Sequence, residues 1–228
     1  MRRFFVLPLC AALALTAGCE LERMIRPEPQ AATAPKPPAP KPAPPTPEQV
    51  GKAFTLLNEK FRVEYERTLD ERGSRLVRVD RALAFDALHA GLVRLGMIVE
   101  SRNPDAGTLT VAAPAPRPLT LDEWRRTVQA DLPMMAEILC PILGAYCTAI
   151  KFEPDDYVIV INASVLAAPN GGTEIAVTTR MREIVPRPGV PRRDYPPPTG
   201  VRMALDKIWG AFDQALAERE KGGARKAP

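Results

Sequence analysis

Few side chains in this 228-residue chain have types that invite chemistry: four cysteines, one histidine and a pair of adjacent aspartates. Cys140 and Cys147 bracket the run CPILGAYC. That spacing is open to a disulfide or to two buried free thiols. A redox site would call for C-x-x-C, and a zinc site for further Cys or His ligands that the chain does not supply. His89 lies beside an apolar stripe with no Cys or carboxylate cluster around it, which describes a structural or surface residue rather than a metal ligand. Asp155 and Asp156 follow Pro154, a pattern that turns a chain more readily than it sets two carboxylates for acid and base roles. Ser164 and Thr178 have no motif around them that would activate a nucleophile. No catalytic residue, metal ligand or cofactor is therefore expected.

The amino terminus explains the other two cysteines. Arg2 and Arg3, an apolar run from Phe4 to Ala17 and the small pair Ala17 and Gly18 have the three-part layout of a secretory signal over residues 1–18. The run is too short for a spanning helix, which needs about 20 apolar residues. The residues LTAGC resemble the bacterial lipobox, with Thr16 where that motif usually has leucine. The resemblance implies cleavage before Cys19 and acylation of its thiol, which ties the chain to a membrane through the lipid. With Glu20 rather than aspartate after the cysteine, the resemblance to bacterial lipoproteins also implies the outer membrane, facing the periplasm. With Cys10 removed and Cys19 acylated, Cys140 and Cys147 remain as a possible pair in an oxidising compartment, worth about 2 to 3 kcal/mol if joined. Losing residues 1–18 also lowers the formal net charge from +4 to +2. With no dense basic and aromatic patch, nucleic acid is not an expected partner.

Residues 19–47 form the lipid-bearing terminus and a Pro/Ala-rich linker. The 22 residues from Arg26 to Pro47 cannot bury enough apolar surface to fold. In an extended polyproline form they reach on the order of 60 to 70 Å, as a spacer would.

The folded domain is expected over 48–217. Thr46, Pro47 and Gln49 make a capping box for a short helix carrying Val50, Ala53, Phe54 and Leu57. Phe61, Val63 and Tyr65 alternate with charged residues, the period of a half-buried strand, and Leu76 to Val79 return beside it after DERG. Asp80 caps a second helix with Phe85, Leu88, Leu92 and Leu95 on one face and Gly96 at its end. MIVES and TLTVAA flank the turn NPDAG as a hairpin. Thr120 and Glu123 cap a third helix with Leu121, Trp124, Val128, Leu132 and Met135 facing inward, and Pro133 is expected to kink or interrupt it. YVIVINASV and TEIAVTTRMREIV form a long hairpin. The proline-rich segment 186–198 is too long for a simple turn, and long loops are disproportionately functional. Arg192, Arg193 and Tyr195 in it are the candidate partner contacts. A last amphipathic helix starts at Thr199, with Val201, Leu205, Ile208, Phe212 and Leu216 on one side, and residues 218–228 form a disordered basic tail.

The fold class is thus α+β: an antiparallel sheet packed by two amphipathic helices, with an inserted helix and Cys loop. The order of elements, with ALAFDALHAGLVRLGMIVESRNPDAGTLTV, YVIVINASV and ALDKIWGAFDQAL, resembles the BamC-like, helix-grip domains of outer-membrane lipoproteins. The resemblance implies a non-catalytic binding or assembly module with an envelope protein as partner. An accessory lipoprotein of a secretion or transport machine is the alternative, and a cell-wall or small-molecule enzyme a more distant one.

Overall fold

The computed structural model describes residues 43–169, 171–185 and 192–224, without the side chains of 222–224. The expected signal peptide, lipidation of Cys19 and nearly all of the tether lie outside the described residues.

Helix α1 spans Pro47–Arg72 and opens with the expected capping box, in which Thr46 and Gln49 bond each other's backbone N–H. The strand expected over Phe61–Tyr65 does not exist, because the helix runs straight through it. Its buried residues Ala53, Phe54, Leu57, Phe61, Tyr65 and Thr68 recur every three or four positions, whereas Val63 is 47 % exposed. The intervening charges pair along the helix: Lys60 and Arg67 with Glu64, and Arg62 with Glu59 and Glu66. Alternation over five residues satisfied a strand template locally, but the longer helical period governs burial.

Strand β1 is only Ser74–Val77. Helix α2, Arg81–Arg94, is capped by the Asp80 carboxylate, which accepts from the N–H groups of Ala82 and Leu83. Strands β2, Ile98–Asn103, and β3, Thr108–Pro114, form the expected hairpin. At its turn Gly107 has φ +69°, and a Cβ there would sit 2.1 Å from the Val165 carbonyl oxygen. Strands β4, Tyr157–Ala167, and β5, Thr173–Glu183, make the long hairpin, completing an antiparallel sheet in the order β1-β5-β4-β3-β2.

Helix α3, Leu121–Leu143, crosses Pro133 without interruption and contains Pro141 as well. Each proline deprives one carbonyl of its helical partner, that of Gln129 or of Glu137, and both residues are exposed, so water can satisfy the freed oxygens. The inward face also differs from expectation. Leu121 and Leu132 are 42 % and 37 % exposed, while Thr127 and Asp131 are buried beside Trp124, Met135 and Leu139. Cys140 and Cys147 are joined in a disulfide, closing the short 3₁₀ turn Gly144–Ala149 onto the end of α3.

Helix α4 spans Pro198–Ala224, so residues 218–224, expected in a frayed tail, continue the helix. Glu218 meets Arg94 at 2.6 Å and Arg219 approaches Asp86 at 3.7 Å, which fastens this last stretch to α2.

Two apolar clusters hold the domain. In the larger, the inner face of the sheet, with Ile159, Ile161 and Val177, packs on Phe85 and Leu88 of α2 and on Leu205, Ile208 and Phe212 of α4. At Gly91 the α2 and α4 backbones come close enough that a Cβ would lie 3.0 Å from Ala211. In the smaller, Phe54, Leu57 and Phe61 of α1 pack on Met135, Leu139 and Leu143 of α3 and on Phe152. The other face of the sheet, lined by Asn162, Ser164, Thr178 and Arg180, carries no helix among the described residues.

Candidate functional site

Five of the residues singled out for their chemistry have ordinary positions. Asp155 and Asp156 sit in the 3₁₀ turn Pro154–Asp156, where the Asp156 carbonyl accepts from the Ile184 N–H at 2.9 Å. His89 is half-buried on α2, and burial holds its pKa below the usual imidazole value, aided by nearby Arg102. Ser164 and Thr178 share the open sheet face, where the Thr178 hydroxyl donates to the Asn162 carbonyl at 3.4 Å. Among the described residues no group of three or more His, Cys, Asp or Glu side chains could hold a metal.

The expected contact segment has a more informative geometry. Because β1 covers only one half of β5, the other half needs a different neighbour. Residues 192–197 supply it as a strap, with the Met181 N–H donating to the Asp194 carbonyl at 3.0 Å. Asn58 of α1 holds the same strap by donating to the Arg192 carbonyl at 3.1 Å.

The three expected contacts point in different directions. Arg192 is exposed. Arg193, expected at the surface, is turned inward and is 5 % exposed. Its Nε lies 3.4 Å from a Glu183 carboxylate oxygen, and its guanidinium rests 5.0 Å from the Phe152 and Tyr157 rings and 5.4 Å from Phe54. A desolvated charge is tolerated only with a counter-charge and polarisable surroundings, and this arginine has both. It bolts the strap to α1, β4 and β5. Tyr195 is half-buried, with its ring 5.3 Å from that of Tyr65.

That tyrosine pair creates a feature not foreseen from the sequence. The two rings, tilted by 59°, support the Arg180 guanidinium at 4.6 Å from Tyr65 and 4.5 Å from Tyr195. Burial pushes the Tyr65 hydroxyl above its usual pKa, and the charge of Arg180 opposes that rise. Arg180 itself is exposed and has neither a hydrogen bond nor an ion pair among the described residues. Arg182, two places along and 63 % exposed, reaches across the open face to within 3.8 Å of Glu100 on β2. In the sequence Arg180 is only one outward position in an alternating strand. Its support comes from residues far away in the chain.

A second surface lies on the other layer. Leu56 and Val63 of α1, 46 % and 47 % exposed, face Ile138, Pro141 and Ile142 of α3 across an open groove. Lys52 and Glu137 stand at its rim, with no ion pair among the described residues. The run from Ala130 to Ile150 holds only two charged residues, Asp131 and Glu137, and Asp131 is buried. By length and composition Leu121–Ala149 could cross a membrane, yet only a small share of its most apolar stretch is buried here. This low-charge run was legible in the sequence, whereas its outward orientation was not.

Asp131 has a separate task. Its carboxylate accepts from the Thr199 N–H at 3.0 Å and from the Thr199 hydroxyl at 2.6 Å, so α3 supplies the cap that α4 lacks locally. Burial pushes the Asp131 carboxyl above its usual value, with the Thr199 bonds acting against it.

No family model, curated protein or solved structure matches this chain.

Proposed function

We propose that this chain is a lipid-anchored, non-catalytic interaction module of the bacterial outer membrane, held in the periplasm by Cys19 and engaging a protein of the envelope. The observation that carries the reading is the uncovered apolar surface of α1 and α3. Leu56 and Val63 are about half exposed beside the low-charge outward side of α3, and contiguous apolar surface of that kind marks interaction sites in folded domains. The tether supports it, since a proline-rich spacer lets an anchored domain search for a partner beyond the headgroups. The disulfide fits an oxidising compartment.

Mass spectrometry of the mature protein tests the anchor, with a diacylated Cys19 as the new amino terminus expected. An unmodified terminus would remove the tether. Affinity purification of the intact lipoprotein from membranes tests the module. One defined envelope complex, lost with Leu56→Glu and Val63→Glu and kept with an exposed control substitution, is the expected outcome.

A further inference from the structure

We propose that Arg180, propped by Tyr65 and Tyr195 on the open face of the sheet, is a binding site for a carboxylate group carried by an acidic protein segment. Many surface arginines of this chain spend their donors locally, and Arg62, Arg72, Arg94 and Arg102 each engage a carboxylate at 2.5 to 2.9 Å, whereas Arg78, Arg117 and Arg192, like Arg180, have no carboxylate partner among the described residues. Among these unpaired arginines Arg180 is set apart by its support from two tyrosine rings, and it has no carboxylate partner among the described residues although Asp194 stands in the adjoining strap. Two aromatic rings hold it, at 4.5 and 4.6 Å, with no hydrogen bond among the described residues. Stacking fixes the plane of the group while leaving its N–H donors unclaimed by the described residues, and a planar fork of donors matches the two oxygens of a carboxylate.

The surroundings identify the kind of ligand. Arg182 lies on the same outward face of β5, and its partner Glu100 is 3.8 Å away, a loose contact that an incoming acid can replace. Val158 and Val160, paired with Arg182 and Arg180 on β4, supply half-buried apolar surface between the arginines and β3. A free anion on so open a face would gain little over water. Tyrosine and arginine beside apolar surface are the residues that dominate protein interfaces, where a partner excludes water around the charged contact. The inference rests on the reading of this domain as an interaction module and adds a second surface of opposite character to the apolar groove.

The test uses the full mature chain with Cys19→Ser, and follows the arginine Nε–Hε resonances during titration with an octaglutamate peptide. The Arg180 resonance is expected to move saturably while that of Arg94, already paired with Glu218, stays in place. Arg180→Gln is expected to weaken peptide binding at least tenfold, and Arg180→Lys, which keeps the charge but loses the fork, to weaken it severalfold. Both variants should keep the wild-type melting curve. A stationary Arg180 resonance, or unchanged affinity in Arg180→Gln, overturns the site and leaves the tethered module intact. Inorganic phosphate or phosphatidylglycerol vesicles moving the same resonance as tightly as the peptide overturn the assignment to a protein acid. An anchored protein that forms no envelope complex in cells, yet shows the peptide titration in vitro, overturns the module and leaves the Arg180 site standing.

Discussion

Replacing Arg193 by methionine separates an internal bolt from a surface contact. Methionine keeps most of the aliphatic volume, so the change removes the charge and leaves the surrounding rings packed. Glu183 would then be stranded: its side chain is 7 % exposed, and that of Arg193 is 6 % exposed. Breaking one half of a buried pair costs about 3 to 5 kcal/mol, since the remaining charge keeps its desolvation penalty and loses its compensation. For a domain of this size 1 kcal/mol corresponds to roughly 2 to 4 °C, so the melting temperature should fall by on the order of 6 to 20 °C. Urea unfolding at neutral pH, followed by the fluorescence of Trp124 and Trp209, both 2 % exposed, measures the change directly. Arg192→Met is the matched control, an exposed neighbour expected to stay within about 0.5 kcal/mol. Adding Glu183→Gln to Arg193→Met should recover part of the loss, giving a coupling energy above about 1 kcal/mol in the double-mutant cycle. If Arg193→Met costs no more than Arg192→Met, the buried-pair account is wrong and the side chain is available at the surface.

Three further outcomes follow from other parts of the fold. Asp131→Ala should cost about 1 to 3 kcal/mol by orphaning the Thr199 N–H, whereas Asp131→Asn, whose amide oxygen can still accept from it, should cost less. Because the folded-state pKa of Asp131 is raised, its contribution is fully present below the unfolded value near 3.8 and is lost as pH rises through the folded value. Wild-type stability minus that of Asp131→Asn should therefore decline as pH increases from 3.5 to neutrality, and a flat difference in denaturant midpoints would refute this. Glu123, held below its usual value chiefly by Lys207, acts in the opposite direction, so its stabilisation is lost only on acidification. Reducing the Cys140–Cys147 bridge, or replacing both residues by serine, should cost about 2.5 kcal/mol in the loop-entropy model, measured by chemical denaturation with and without reductant. Leu56→Glu with Val63→Glu should change stability by about 0.5 kcal/mol or less at each position while removing the envelope complex, since both side chains are about half exposed.

What could be read in advance depended on how far along the chain its cause lies. The β4–β5 hairpin was legible because eleven residues on each side alternate and the turn chemistry sits between them. The caps of α1, α2 and α3 were legible because each cap is built from residues two or three apart. The segment around Phe61 was misread for the same local reason, since five alternating residues fit a strand and only the spacing back to Leu57 and on to Thr68 shows the helix. The purpose of Asp131 in an apolar helix is visible only once Thr199, 68 positions later, is beside it. Arg193 and Arg180 are both arginines near tyrosines. One is buried and the other presented because of rings and carboxylates brought in from α1, β4 and β5, which no window along the sequence contains.

The strand order has a consequence for how such a chain comes to fold. Among the described residues β5 is the only strand that pairs with β1, and Val77 must wait for Thr173 before its backbone groups are paired. As the chain emerges where it folds, the first strand therefore remains an unclaimed edge until β5 has followed it. The hairpin of β2 and β3 can close at once, but the sheet as a whole is a late event whose rate is set by a long loop closure. Chaperones that shield unpaired strands should therefore bind chains truncated before residue 173, and lose their hold once β5 is present.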